Sequence, residues 1–195
     1  MKNSFTRGTG LIENLLAKLR AKKADSLIPE EKRKGIILDI GCGYFPFFLS
    51  MIKFRKKIGI DKITKNRVKD IELIKTDLEK IRYLPFKEEK FDVVTSLAVF
   101  EHIERDKLLK IIKEIKRILK KGGILILSTP NFWTDFILKF LSNLKILSYE
   151  EIKEHKKLFS KKKLIELLIK GGFERKKIKS GFFEFGLNIW IRAEK

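Results

Sequence analysis

Five short apolar runs recur along the chain, each separated from the next by a longer segment. They read IILDI at 36–40, KIGID at 57–61, IELI at 71–74, FDVVTSL at 91–97 and ILILS at 124–128. Largely continuous apolar strands are typical of a parallel sheet that is covered on both faces. Because helical periods lie between these runs, the sequence predicts an α/β fold with a mostly parallel sheet and helices on both sides.

The segments between the strands predict the helices. The clearest covers 104–120 and ends before Gly122 and Gly123. Its apolar residues at helical spacing are Leu108, Ile111, Ile112, Ile115, Ile118 and Leu119. Other expected elements are an amphipathic helix carrying Leu11, Leu15, Leu16 and Leu19 that ends before Pro29, helices over about 46–55 and 133–144, a helical turn over 78–81, a helix from its N-cap Ser160 to Gly171 and Gly172, and late strands over 173–178 and 186–192.

The composition fits one domain of ordinary size. The 195 residues are 44% hydrophobic, which is enough for a substantial core, and no repeat or Pro/Gly/Ser linker marks a boundary. We therefore expect a single domain over 1–195 with an N-terminal helical extension over 1–34. Cys42 is the only cysteine, so no intrachain disulfide is available, and the first ten residues lack a signal-peptide core. We expect a cytoplasmic protein.

The first predicted strand runs into a glycine turn, GCG at 41–43. In a doubly wound sheet the ligand lies beyond the carboxyl ends of the strands, which places this turn at the site. The dinucleotide fingerprint G-x-G-x-x-G requires a third glycine where this chain has Pro46, so a nicotinamide or flavin cofactor is disfavoured. Asp61 ends the next strand about twenty residues on, the spacing at which a carboxylate meets a ribose diol. Together these features favour a ligand with a ribose and without a pyrophosphate.

The sequence resembles a known family, the class I S-adenosylmethionine-dependent methyltransferases, in its small-molecule-like branch. The resemblance covers nearly everything from Gly35 onwards, in order and at suitable spacing. The pieces that carry it are LDIGCG at 38–43, GID at 59–61, TDL at 76–78, LPF at 84–86, FDVV at 91–94, FEHI at 100–103, LKKGGILILSTPN at 119–131 and HKKLFS at 155–160.

The resemblance implies a Rossmann-like sheet of seven strands whose last strand is antiparallel. It also implies S-adenosyl-L-methionine as cofactor, S-adenosyl-L-homocysteine as product, and no metal. By position, Gly41 and Gly43 would let the methionine part lie against the backbone, while Asp61 would hold the ribose hydroxyls. The other implied cofactor contacts are Asp39 near the amino group, Cys42 and Lys62 beside these residues, Asp77 and the Leu78 backbone at the adenine, and Leu97 and Ala98 below the sulfonium.

One residue departs from the family pattern. A third glycine usually follows the second by two residues, and Phe45 occupies that position. We expect the ring to pack into the following helix while the turn shifts slightly. If the ring instead blocked the pocket, the chain would be a methyltransferase fold without activity.

Methyl transfer from a sulfonium asks little of the protein, because alignment alone supplies effective molarities on the order of 10⁵ M or more. A hydroxyl acceptor would also need a general base. The candidates are His102, His155 and Glu101. Each has a structural alternative, because His102 could anchor the loop after the fourth strand, His155 could cap the late helix, and Glu101 could be a fixed carboxylate touching the cofactor.

The identity of the acceptor is less constrained. No N/D-P-P-Y/F run follows the fourth strand, which disfavours methylation of an exocyclic base nitrogen, and no second cysteine is present to attack a pyrimidine ring. Forty-five Lys and Arg against twenty-five Asp and Glu give a formal charge of +20, which favours anionic partners such as RNA. A Lys-rich composition also accompanies heat adaptation, and no appended RNA-binding module is recognisable.

Residues 131–160 are expected to form a lid or substrate segment. An apolar helical face there also suits core packing or, with its lysines, peripheral contact with an anionic membrane. Three functions therefore stand. The favoured one is a methyltransferase acting on a small-molecule, lipid or glycan acceptor, and the others are an RNA methyltransferase and a catalytically silent binding module.

Overall fold

The computed structural model describes residues 11–64, 67–131 and 159–195. Its strands are β1 Ile36–Ile40, β2 Lys56–Asp61, β3 Glu72–Lys75, β4 Phe91–Leu97, β5 Leu119–Pro130, β6 Ile178–Phe183 and β7 Asn188–Glu194. They form one seven-stranded sheet in the order β3-β2-β1-β4-β5-β7-β6. The pairs among β1 to β5 are parallel, and β7 is antiparallel to both of its neighbours.

Helices cover both faces of this sheet. They are α1 Leu11–Ser26, α2 Phe47–Met51, α3 Arg105–Ile118 and α4 Lys161–Lys170, with 3₁₀ turns at Glu30–Lys34, Phe100–His102 and Arg175–Lys177. The side chains of α3 and α4 share one core cluster with one face of the strands. Those of α1 and α2 share a second cluster with the other face. The prediction of a mostly parallel sheet with helices on both sides is confirmed.

The helix α3 follows the predicted pattern. All six apolar residues that the spacing selected on it are buried. The helix ends at Ile118 rather than at the glycine pair, because Leu119 is already extended and pairs with Phe91 at the start of β4. Gly122, with φ +70°, instead lies in an irregularity near the start of β5.

The first helix packs differently from the prediction. Leu15 and Leu19 were expected on its buried face, but they are 56% and 39% exposed. The helix instead buries Ala21 and Ala24 against β-strand side chains such as Ile124. Small side chains allow a helix to lie close to a sheet, so the alanines decide which side of α1 faces the core.

Two further elements are shorter or less regular in the structure than the sequence predicted. The helix expected over 46–55 is only α2, because residues 52–55 are not helical and return the chain to the start of β2, where the Arg55 N–H bonds the Arg33 carbonyl at 2.9 Å. The expected helical turn at 78–81 is a hydrogen-bonded turn on the Asp77 carbonyl.

The two late strands form a hairpin, but the first of them begins later than predicted. The strand β6 pairs with β7 from Ile178 onwards, so the strand expected over 173–178 begins where it was predicted to end. At the preceding helix, the Ser160 hydroxyl accepts the Lys163 N–H as an N-cap, as predicted. The expected helix over 133–144, and all but the ends of the expected lid segment, lie outside the described residues.

Within the described ranges, no helix has both the length and the apolar character that a membrane span needs.

Candidate active site

The turn after β1 lies at the point where the strand order reverses. The strand β1 is flanked by β2 on one side and by β4 on the other, which opens a crevice at their carboxyl ends. The turn is held by two hydrogen bonds, since the N–H groups of Gly41 and Cys42 both donate to the Ile60 carbonyl, at 2.8 and 3.2 Å. Gly41 and Gly43 both adopt left-handed backbone, with φ of 77° and 76°.

These two glycines serve different purposes. A Cβ on Gly41 would lie 2.3 Å from the Val99 side chain, so this glycine allows the turn to pack against the segment after β4. A Cβ on Gly43 would meet only the Phe45 carbonyl oxygen, at 3.9 Å. The space beside the Gly43 backbone is therefore open to a ligand.

Asp61, at the end of β2, is fixed beside this open space. Its Oδ2 accepts the Gly43 N–H at 2.9 Å, and its Oδ1 accepts the Ile63 N–H at 3.0 Å. A carboxylate oxygen has two lone pairs, so each oxygen keeps one for a further donor. This arrangement fits the ribose diol that the sequence assigned to Asp61.

Asp77 is brought next to Asp61 by the end of β3. The Thr76 N–H donates to the Asp61 carbonyl at 3.0 Å, and the Asp77 Oδ1 accepts the Glu79 N–H at 3.1 Å. The Leu78 side chain packs against the core, whereas Lys62 is exposed. The residues predicted for the ribose and the adenine therefore lie together at the ends of two neighbouring strands.

Asp39 lies on β1, beneath the turn, and is 4% exposed. Its Oδ1 accepts the Thr95 hydroxyl at 2.6 Å. Burial raises the pKa of Asp39 to about 7, even though the Thr95 hydrogen bond lowers it. A cationic amino group nearby would favour the charged carboxylate, which suits the role predicted for this residue.

Cys42 is a buried thiol within the turn. Burial, reinforced by the negative charge of Asp39, raises its pKa to about 12. A neutral thiol is a poor nucleophile. Cys42 therefore packs the turn, next to the Cα of Gly59, where an added Cβ would come within 2.8 Å of the sulfur.

The two residues predicted to lie below the sulfonium follow one another at the end of β4. Leu97 is half-buried against the core, and Ala98 has left-handed backbone with φ 56° while its N–H donates to the Ser128 carbonyl at 2.9 Å. Left-handed backbone is uncommon for a residue with a side chain and is often found at functional sites. Phe45 is half-buried and does not belong to either core cluster of the described residues, so its expected packing into the helix stays a prediction.

The candidate bases are placed differently. Glu101, on the 3₁₀ turn after β4, is 1% exposed, and its Oε2 accepts the Thr129 hydroxyl at 3.0 Å. Burial raises the pKa of Glu101 to about 7, against its own backbone hydrogen bond, the charge of Arg20 and the Thr129 bond, which lower it. His102 is exposed, and His155 lies outside the described residues. Of the candidate bases within the described residues, Glu101 is thus the buried one.

Sequence reasoning missed a polar cluster next to Glu101. Arg20, from α1, lies close enough for its charge to lower the pKa of both Glu101 and Glu184. Glu184 sits in the β6–β7 turn, and its Oε2 accepts a hydrogen bond from the Asn188 side chain. Burial raises the pKa of Glu184. No spacing in the sequence connects these three residues, because they are far apart along the chain.

Several buried polar atoms of this cluster have no hydrogen-bond partner among the described residues. They are Arg20 Nε, Ser128 Oγ, Glu184 Oε1, Asn188 Oδ1 and Arg192 Nε. Ser128 pairs with Trp190, which lies between Asn188 and Arg192 on β7, so these side chains share one face of the sheet. Buried polar groups are normally hydrogen-bonded. The unsatisfied atoms therefore indicate a place for water or for a polar ligand.

No group of three His, Cys, Asp or Glu side chains that could hold a metal ion occurs within residues 11–64, 67–131 and 159–195.

Known proteins share this architecture. The profile of the family described as "Methyltransferase domain" matches residues 11–177. An uncharacterized protein of Methanocaldococcus jannaschii is 34% identical over 161 residues, which are 78% of this chain and 70% of that protein. The chain spans only 53% of another relative from the same organism. This chain belongs to the methyltransferase-domain family.

Two further comparisons concern proteins with more specific names. The ubiquinone biosynthesis O-methyltransferase of Pelagibacter ubique is 26% identical over 192 residues, which are 91% of this chain and 76% of that protein. A SAM-dependent methyltransferase of Thermotoga maritima, described as a possible histamine N-methyltransferase, superposes with a TM-score of 0.70 at 23% identity and covers 95% of this chain and 91% of its own. The predicted methyltransferase family and the class I methyltransferase fold are confirmed. Membership of this family agrees with the predicted S-adenosylmethionine-dependent enzyme class. The roles of the individual site residues stay predictions.

Proposed function

We propose that this protein transfers a methyl group from S-adenosylmethionine to a hydroxyl oxygen of a small polar acceptor, which is bound at the carboxyl ends of β4, β5 and the β6–β7 turn. The observation that carries the proposal is the buried Glu101 carboxyl, with a pKa of about 7, one 3₁₀ turn beyond the Val99 side chain that packs on the Gly41 turn. A base with a pKa near neutral is suited to accept a hydroxyl proton.

The residues predicted to contact the cofactor are proposed to bind it and to orient it. Asp61 would accept two ribose hydroxyls with its remaining lone pairs, and Asp39 would face the amino group from below the turn. Gly43 would allow the methionine part to lie against the backbone. When bound, the cofactor supplies an activated methyl on a sulfonium, so the protein needs mainly to align it and to exclude water.

The polar cluster supports an acceptor that carries hydroxyl groups. The unsatisfied atoms at this end of the sheet include a donor, on Arg20, and acceptors, on Glu184 and Asn188. A hydroxyl both donates and accepts, so a polyol or a hydroxylated ring satisfies such a mixed set better than an acyl chain does. The Pelagibacter ubique relative is an O-methyltransferase by name, which agrees with transfer to oxygen.

The test begins with isothermal calorimetry of S-adenosylhomocysteine, followed by transfer of a tritiated methyl group to panels of polyols, sugars, phenols and amines. We expect transfer to hydroxylated acceptors. Glu101→Gln should lower kcat by about 100-fold or more, in the range that general-base catalysis contributes, whereas Glu166→Gln, an exposed glutamate on α4, should leave it unchanged. Transfer confined to amines, or an unaffected Glu101→Gln variant, would refute the oxygen acceptor.

The same assays separate the alternative functions. Absence of S-adenosylhomocysteine binding would favour a silent module, in which Phe45 closes the pocket. Transfer of the label into total RNA would favour an RNA methyltransferase.

A further inference from the structure

Basic residues are concentrated at the amino edge of the sheet, opposite the edge that carries the candidate site. Acidic residues also lie there, since Glu89, Glu174 and Glu194 form ion pairs with nearby lysines. Because α3 runs directly into β5, and Leu119 pairs with Phe91 at the start of β4, the basic end of α3 lies at this amino edge. Part of the basic surplus of the chain therefore lies at this edge.

A shallow cleft at the amino edge concentrates these cations. It has a volume of about 410 Å³ and lies between the ends of α3 and α4 and the last residue of the chain described here. Its lining residues are Lys113, Lys116, Arg117, Lys170, Gly171, Gly172 and Lys195. Every side chain that lines it is cationic, and the two glycines contribute backbone.

Structural roles account for three of these five cations. Lys116 donates to the Gly172 carbonyl, and Lys195 donates to the Leu119 carbonyl at 2.6 Å. Arg117 makes a bidentate pair with Glu114, at 2.8 and 2.7 Å. Cations near helix C-termini offset the helix dipole, so these three contacts stabilise the ends of the helices.

The remaining two cations make no such contact. Lys113 and Lys170 make no hydrogen bond or ion pair with another described residue. Lys170 is exposed at the last turn of α4, and Lys113 lies one turn before Arg117 on α3. Exposed like charges so close together repel each other, and an anion between them would relieve this repulsion.

Further basic residues extend the cleft along the same edge. Lys121 is exposed near the start of β5, and the 3₁₀ turn Arg175–Lys177 immediately precedes β6. Within this turn, Lys176 and Lys177 pair with Glu174 and Glu194. Their positions follow from the topology, because β5 starts and β7 ends at this edge. A row of cations is better matched by a repeating anion than by a single one.

We propose that this amino-edge cleft binds the phosphodiester backbone of a nucleic acid, and that it is a docking site separate from the methyl-transfer site. The strand β4 has seven residues, which separates its two ends by roughly 20 Å at 3.3 Å per residue. A nucleotide held at the amino edge cannot present its base or ribose to a sulfonium above the carboxyl edge. The nucleotide that is bound in the cleft is therefore not itself the methyl acceptor.

The lining favours a nucleic acid over a membrane surface. Peripheral membrane binding combines cations with apolar side chains that enter the headgroup region. The cleft has no apolar side chain among its lining residues. Its chemistry is instead that of backbone phosphate contacts, which are independent of sequence and sensitive to salt.

The test compares two double charge reversals, one in the cleft and one at the opposite edge of the sheet. Lys113→Glu with Lys170→Glu alters the cleft. The matched control, Lys162→Glu with Lys163→Glu, changes the charge equally at the start of α4, which the Phe159 bridge to Asn131 places at the carboxyl edge. Affinity for a fluorescein-labelled oligouridylate is measured by anisotropy at several salt concentrations, with thermal melting to verify folding. A neutral pair, Lys113→Gln with Lys170→Gln, replaces the reversal if the latter fails to fold.

We expect the cleft variant to lose at least tenfold in affinity and about 1.4 in the slope of log affinity against log salt, the value for two single-strand phosphate contacts. The control variant should retain most of the affinity and most of the salt slope. Binding of S-adenosylhomocysteine should be unchanged in the cleft variant and in the control. Equal losses in the two variants, or a larger loss in the control, would overturn the proposal. Co-sedimentation with phosphatidylserine vesicles without oligouridylate binding would also overturn it.

Discussion

The Asp61 carboxylate accepts the Gly43 N–H at 2.9 Å, which fastens the glycine turn after β1 to the end of β2. The same carboxylate accepts the Ile63 N–H with its other oxygen. Two strands that are neighbours in the sheet are thus joined across their carboxyl ends by a side chain that also faces the open space beside Gly43. Turn geometry and ligand binding therefore depend on one residue.

Asp61→Asn should weaken the binding of S-adenosylhomocysteine by roughly 10- to 150-fold, the equivalent of one such hydrogen bond. The amide loses the charge, and hydrogen bonds to charged groups contribute about 1.5–3 kcal/mol each, which corresponds to this range. Calorimetric titration measures the change. Asp70→Asn is the matched control, because Asp70 is exposed and its left-handed backbone, φ 59°, is tolerated by asparagine. An Asp61→Asn variant that binds as tightly as the control would contradict the assignment.

Gly41→Ala should destabilise the fold by about 2–4 kcal/mol, since overpacking adds to the cost of left-handed backbone. The added Cβ would lie 2.3 Å from Val99. Gly122→Ala should cost only about 1–2 kcal/mol, because its φ is similar, +70°, but no atom lies within 4 Å of the new Cβ. Urea unfolding of both variants measures the difference. Equal losses would show that Val99 moves away without cost.

The sequence predicted the sheet and its switch point well, because these depend on local patterns. The runs that became β1, β2 and β4 were identified within one or two residues. The glycine turn with Asp61 follows from residue types whose backbone and hydrogen-bonding preferences are strong. The boundaries that were predicted wrongly, at the starts of β5 and β6, are decided by pairing with distant strands. A local pattern contains no information about such pairing.

The acceptor side could not be predicted in the same way. Arg20, Glu101 and Glu184 come from an N-terminal helix, a 3₁₀ turn and a hairpin turn, and they meet only when the sheet has formed. Glu101 was selected from its place in a family motif, not from its environment. The basic cleft is a similar case, because Lys113 and Lys170 are ordinary helix lysines until the two helix ends converge.

The affinity for S-adenosylhomocysteine should fall below about pH 7, by up to tenfold per pH unit. Burial raises the pKa of Asp39 to about 7, so the ligand-free protein holds a proton there that a cationic amino group would displace. The raised pKa of Asp39 affects the stability of the fold in the opposite direction. An acid whose pKa is raised in the folded state contributes stability at low pH, and this contribution is lost as the pH rises towards 7. Calorimetry across pH tests the first effect. Asp39→Asn should bind with a flat pH dependence, and a wild-type profile that is equally flat would contradict it.

Thr129→Val should shift the acidic limb of the kcat profile to higher pH. The Thr129 hydroxyl donates to Glu101 at 3.0 Å and lowers its pKa, so its removal raises that pKa above about 7 and leaves less of the base ionised. Thr95→Val provides the comparison, since Thr95 bonds Asp39 and should alter the KM for the cofactor instead. If both variants changed only KM, Glu101 would not be the base.

Cys42 should react with iodoacetamide roughly a thousandfold more slowly than an unfolded cysteine at the same pH, because its pKa is raised to about 12 from the usual 8.5 and the thiolate is the reactive form. The experiment is simple to interpret because the chain has one cysteine. Labelling followed by mass spectrometry gives the rate with and without S-adenosylhomocysteine, and urea should restore the ordinary rate as the turn unfolds. Cys42→Ser is the blank for adventitious labelling of other side chains. Fast labelling of the folded protein would mean that the turn opens to solvent, and that the close contact of the sulfur with Gly59 does not persist.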